Sequence, residues 1–132
     1  MGSYDASVRL FDTRKTSEPL MTANVGGGAW RLKWHPNILR KTDLLVACMH
    51  DGFKVVHFES LPNPDAERSS EGRTTLDLAS YTITARNDVH TSLAYGADWQ
   101  FASSTSAGDS AQGFSVIASC SFYDHMLSIW RG

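Results

Sequence analysis

The chain has little of what usually signals chemistry or a special environment. It has two cysteines in 132 residues, Cys48 and Cys120, and no Cys-x-x-Cys. That argues against a disulfide framework and a thiolate zinc site. Both cysteines sit in apolar, strand-like runs just before a turn aspartate, so two free, buried thiols in a reducing compartment are expected. Five histidines are present, without a His-x-x-x-His spacing, and no metal site is expected. Charge of either sign is scarce in excess. A formal net charge of −2 gives no basic footprint for nucleic acid and no polybasic membrane patch. No apolar run approaches the roughly 20 residues that span a bilayer. Met1 is followed by Gly-Ser-Tyr-Asp rather than a basic and then an apolar region, so no secretory signal is read there. The length is that of one domain at most. With 42% hydrophobic and 20% charged residues, the composition supports a core rather than disorder.

What the chain does have is a recurring corner. Residues 116–132 hold two apolar runs separated by Tyr123-Asp124-His125, which reads as a hairpin because an Asp side chain can bond the backbone just ahead of it. Trp130 lies six residues after Asp124. Phe11 stands six after Asp5, and His57 six after Asp51. A unit repeated at tens of residues fixes the fold before any local reading does.

Strands are expected over residues 20–25, after Pro19; over 29–36, where Trp30, Leu32 and Trp34 alternate with Arg31, Lys33 and His35; and over 43–49, a continuous apolar run suited to a strand covered on both faces. Further strands are expected over 53–58, 74–85 and 95–99, and Arg86 to His90 reads as a turn or loop. Tyr95-Gly96-Ala97-Asp98-Trp99 matches Trp30 to Trp34 position by position. Residues 60–73 and 102–113 read as polar insertions. Gly26-Gly27-Gly28 permits a close approach to the main chain but lacks the following helix and Lys-Ser/Thr of a phosphate cradle. Gly108-Asp109-Ser110-Ala111-Gln112-Gly113 is one residue too long for a nucleophile elbow and lies in an insertion.

Four-stranded units with an Asp corner and a terminal Trp-Asp-like pair resemble WD-repeat β-propeller blades. The Trp-Asp position falls on Phe11-Asp12, His57-Phe58 and Trp130-Arg131, and the corner Asp on Asp5, Asp51 and Asp124. The Gly-His before the first strand is kept only as His90. The resemblance implies an all-β fold: a partial WD-repeat propeller of about two and a half four-stranded antiparallel blades. The blade remnant would be 1–28, the complete blade 29–85 and the last blade 86–132. It also implies structural roles for Asp5, Asp51, His90, Asp124 and Trp130, with Ser119 or Ser121 as the hydroxyl of a His–Ser–Asp–Trp network. His90, Ser121 and Asp124 are therefore not read as a catalytic triad.

Four stretches narrow this further: Ala29 to Pro36, Ala47 to Lys54, His90 to Trp99, and Ser119 to His125. In this order they resemble the C-terminal part of the diphthine methyl esterase family of the diphthamide pathway, formerly called diphthine methyltransferase. The resemblance implies a cytoplasmic hydrolase of the methyl ester of methylated diphthine on elongation factor 2, its protein partner, with no cofactor. Ester hydrolysis needs a base and donors for the developing oxyanion. His50 and His125 are the candidate bases, and Arg31 or the glycine-loop amides the candidate oxyanion donors. Trp30, Arg31, Tyr95 and Tyr123 are the candidate substrate-binding residues. A non-catalytic interaction scaffold and an inactive truncated product are the alternatives. Two and a half blades cannot close a ring of four to eight, so residues 1–132 alone are expected to be poorly stable.

Overall fold

The computed structural model describes residues 1–59, 80–101 and 115–132. Both polar insertions, and the start of the strand expected at residue 74, lie outside the described residues. Among the described residues, nine strands form three antiparallel sheets: β1 (Ser7–Leu10) with β2 (Met21–Asn24); β3 (Arg31–Trp34), β4 (Asp43–Ala47), β5 (Phe53–Phe58) and β6 (Tyr81–Asn87); and β7 (Gly96–Trp99), β8 (Val116–Cys120) and β9 (Leu127–Arg131). Within each sheet, strands that follow in sequence pair in space. Sheets of two, four and three strands in this order form a partial β-propeller. One helical piece appears among the described residues, a single 3₁₀ turn over Ile38–Arg40, begun where the Asn37 side chain accepts from the Leu39 amide.

The middle sheet explains its own sequence. All of β4 is buried, and all of β5 except His57. Side chains alternate between faces along a strand. Leu44, Val46, Val56 and Phe58 therefore meet Val8, Met21, Ala23 and Val25 of the first sheet. Leu45, Ala47, Phe53 and Val55 meet Ala97, Trp99 and Ile117 of the last. A sheet covered on both faces has no polar side to pattern, and hence the continuous run over 43–49. Phe53 and Phe58 are both fully buried, each contributing about 1.5–3 kcal/mol relative to an exposed side chain.

The three corners share a backbone feature. The residue after each turn aspartate is left-handed: Ala6 at φ 62°, Gly52 at 69° and His125 at 53°. At two corners the aspartate supports that strain by accepting from the amide two residues on, Ser7 N to Asp5 at 3.2 Å and Met126 N to Asp124 at 2.9 Å. The middle corner uses glycine instead, which takes positive φ without cost, and its aspartate is released for other partners. A Cβ on Gly52 would also stand 2.3 Å from Asp88 Oδ1.

Three expectations need correction. The strand after the first insertion runs to Asn87, so Arg86 is strand rather than loop; it pairs with Lys54, and its guanidinium binds Asp51 and Asp88. The residue of the middle sheet equivalent to Trp130 is Val56, not His57. Trp130 pairs with Ile117 and Val56 with the equivalent Leu44, because the Asp51 corner is one residue shorter. His57 instead binds buried Asp43. Finally, Cys120 is exposed, while Cys48 is buried; both are free. Cys120, Leu127 and Ile129 lie on the outer face of the last sheet, which no described residue covers, whereas burial pushes the Cys48 thiol up to about 12.

Candidate functional site

The corners and the loops preceding β3 and β7 gather at one end of the sheets. Each contact that brings them together is specific. Ala29 N donates to Ser3 O at 2.9 Å, tying the first sheet to the second, and Ala94 N donates to Met49 O at 2.8 Å, tying the second to the third. The Gly26–Gly28 loop passes so close to the middle corner that a Cβ on Gly27 would stand 2.1 Å from Cys48 O. The close approach expected of the glycines is therefore made by the chain itself. Below, Lys33 Nζ meets Asp98 Oδ2 at 2.8 Å, and Trp99 Nε1 donates to Lys33 O at 2.9 Å, which locks β3 beside β7.

At the last corner Ser119 is the hydroxyl that joins His90 and Trp130, while His90 Nδ1 makes no hydrogen bond among the described residues. His90 Nε2 lies 3.0 Å from Ser119 Oγ, and Trp130 Nε1 donates to the same oxygen at 3.2 Å. Asp124 Oδ2 stands 3.3 Å from His90 Nδ1, obliquely, and accepts from Thr91 N at 3.1 Å. The residue types and order imitate a Ser–His–Asp triad. However, Ser119 is 1% exposed and the His90 side chain 1%. A nucleophile must reach its substrate, and this hydroxyl is already engaged by the His90 and Trp130 ring nitrogens.

At the middle corner the network is absent. The positions equivalent to His90, Ser119 and Trp130 are Val25, Val46 and Val56, by the strand register. Here buried Lys54 sends its ammonium to Val25 O and to Asp51, and Arg86 reaches the other oxygen of Asp51 at 2.6 Å. Sequence reading missed this arrangement. Lys54 looks like an ordinary exposed strand residue until its neighbours are known.

Aromatic rings cross the three sheets at this end. Tyr4 and Trp30 have ring centres 6.1 Å apart, and Trp30 and Tyr95 5.4 Å. Two expected binding residues, Trp30 and Tyr95, are thus brought together, and Tyr4 joins them. Tyr4 had a signal in the sequence: it precedes Asp5 as Tyr123 precedes Asp124. Tyr123 lies apart from the row, edge-on to exposed Phe122. Tyr95, Cys120, Phe122, His125 and Leu127 line an open cleft of about 360 Å³, together with Ser121, whose buried hydroxyl has no hydrogen-bond partner among the described residues. His125 therefore shares a cleft with an expected binding residue. His50 is exposed on its turn and lines neither this cleft nor the next. Arg31 faces a second cleft, with Lys33 and Asp98, and not the glycine loop.

The corner carboxylates are held ionised. The Arg9 guanidinium beside Asp5 pulls its carboxyl down to about 2. Lys54 first, then Arg86, lowers Asp51. Burial alone would raise Asp124, but the Met126 amide, the His90 charge and the Thr91 amide outweigh it and bring it below the usual range. A carboxylate depressed in the folded state contributes stability above its unfolded value, here 3.8, and loses it as pH falls through the folded value. Urea melts should therefore show a midpoint that is level above about pH 5 and falls steadily between pH 4 and pH 2. A midpoint unchanged down to pH 2 would contradict the carboxylate assignments.

No protein-family model matches the chain, and no solved structure does. Sequence relatives do. The diphthine methyltransferase homolog of Dictyostelium discoideum is 37% identical over 131 residues, which is 98% of this chain and 30% of that protein. The chain is a relative of the diphthine methyltransferases. The Homo sapiens protein of that name is 39% identical over 100 residues, 76% of this chain and 19% of its own length. The Schizosaccharomyces pombe protein is 30% identical over 130 residues, 98% of this chain and 32% of its own. The chain thus spans a third or less of these diphthine methyltransferases.

Proposed function

We propose that this chain contributes part of a hydrolase for the methyl ester of methylated diphthine on elongation factor 2, a late step of diphthamide biosynthesis. The observation that carries the reading is the similarity to diphthine methyltransferases along nearly the whole chain. On this reading residues 1–28, 29–85 and 86–132 are successive blades, and the corner end faces the protein substrate in the cytoplasm. Trp30, Tyr95 and Tyr123 hold the modified side chain. His125, in the cleft beside Tyr95, takes a proton from water. That water attacks the ester carbonyl, and methoxide leaves as methanol once protonated. His50, on its own turn, is the alternative base. The reaction needs no cofactor.

Full-length protein incubated with elongation factor 2 carrying the methyl ester should release methanol, and the carrier should lose one methyl group by mass spectrometry. His125→Ala should lower turnover by about 10²–10⁴-fold. Undiminished turnover in both His125→Ala and His50→Ala variants would remove the base assignment. Binding of the carrier without methanol would favour a scaffold.

A further inference from the structure

We infer that the second cleft, at Arg31, is a binding site for a monocarboxylate with a small apolar body. It is argued from the walls of that cleft and does not depend on the ester reading.

Strand pairing builds the cleft. Arg31 and Lys33 stand two apart on β3, so they share a face. They pair with Ala47 and Leu45, whose side chains meet the last sheet, and that fixes the face both cations take. Across from them, Gly96 pairs with Cys120 and Cys120 with Leu127, one row over the outer face of the last sheet. Asp98 and Ala118 form the next row. The space between holds about 300 Å³, the lower end of the range for small-ligand sites. Gly96 keeps its floor low, because a Cβ there would stand 2.7 Å from Cys120 Sγ. Lys33 Nζ to Asp98 at 2.8 Å and Trp99 Nε1 to Lys33 O at 2.9 Å hold the two walls together without a ligand.

The charges decide the class of ligand. Lys33 is compensated by Asp98. The Arg31 guanidinium makes no hydrogen bond or ion pair among the described residues. Arg9, Arg40 and Arg86, by contrast, each hold a carboxylate. The cleft therefore carries one uncompensated positive charge above a floor of Gly96, Ala118 and Leu127. A guanidinium presents a planar fork of N–H donors that matches the two oxygens of a carboxylate. A phosphate dianion would bring a second negative charge against Asp98. The floor offers carbon to an apolar body. The two clefts share Cys120 and Leu127. Ester hydrolysis releases a carboxylate, so an acid formed beside His125 has Arg31 in the adjoining cleft; that link rests on the proposed reaction, whereas carboxylate binding does not.

The test titrates full-length protein with butyrate and with its neutral isostere, butyramide, followed by saturation-transfer NMR of the ligand. Butyrate should bind, and butyramide at least about tenfold more weakly. Arg31→Gln should weaken butyrate by about the same factor. Arg131→Gln, which removes an exposed cation outside both clefts, should leave it unchanged. No butyrate binding, equal binding of the two compounds, or full binding in Arg31→Gln would overturn the inference. An equal loss in Arg131→Gln would reduce it to net charge and overturn it too. Inorganic phosphate displacing butyrate at equal concentration would make the cleft a general anion site and overturn the carboxylate assignment. Butyrate and butyramide are compared on the unaltered protein, so that arm decides the matter without any variant. The measurement involves no turnover, so its failure leaves the ester reading to methanol release, and the reverse.

Discussion

Asp51→Ala lowers the unfolding free energy by about 3–5 kcal/mol, the cost of leaving a buried charge without its partner. The charge is that of Lys54, whose side chain is 3% exposed. Its ammonium has two oxygens, Val25 O and Asp51 Oδ2. Removal of Asp51 leaves one neutral carbonyl for a cation that has surrendered its water. It also frees Arg86, which then keeps only Asp88 among the recorded partners. Lys54→Met should cost much less. It removes the buried charge itself, and Asp51, 28% exposed, keeps Arg86 and water. Urea denaturation of both variants checks the order. Equal losses would mean that the pair is not the source of the effect.

Ser119→Val costs about 1–3 kcal/mol, because a donor that the hydroxyl satisfies is left without its acceptor. The donor is Trp130 Nε1, and His90 Nε2 loses its hydroxyl partner as well. The middle sheet shows that the hydroxyl is not needed for the backbone: Val46 occupies the equivalent position with Val25 and Val56 around it, and the strand pairing is preserved. What valine cannot do is replace one member of a polar set. Adding Trp130→Phe to Ser119→Val removes one orphaned donor, so the double variant should be more stable than the sum of the two single losses predicts. Simple additivity would contradict a shared network.

Much of the fold was legible because its causes are local. The unbroken run over 43–49 follows from burial on both faces, whereas the period-two pattern of Trp30 to Trp34 marks a strand without a buried face, Trp30 and Trp34 being exposed and Leu32 partly buried. The corner aspartates were legible because Asp bonds its own neighbours, and the left-handed residue after each one is the backbone consequence. The His90 network was legible as a set of residue types, though only the end of β8 at Cys120, which leaves Ser121 beyond the strand, decides between Ser119 and Ser121.

The remainder was not local. The register of the middle hairpin turns on whether a corner takes glycine and closes one residue earlier, which moved the Trp130 equivalent from His57 to Val56. The partner of Lys54 across the sheet boundary is a carbonyl 29 residues away. Cys120 sits on an apolar strand, and nothing in that strand says that its outer face is left open. At the candidate site the sequence supplied Trp30, Tyr95 and His125. The separation of Arg31 and His50 from that group depends on which face of a strand, or which turn, meets its neighbour.

Zero-length carbodiimide coupling tests most directly whether the sheets stand side by side as neighbouring blades, with β3 against β7. Lys33 Nζ and Asp98 Oδ2 are 2.8 Å apart and both side chains are partly exposed. Tandem mass spectrometry should find an amide joining Lys33 to Asp98 as a dominant cross-link between the second and third sheets. Efficient coupling of Lys33 to other carboxylates with none to Asp98 would contradict the arrangement.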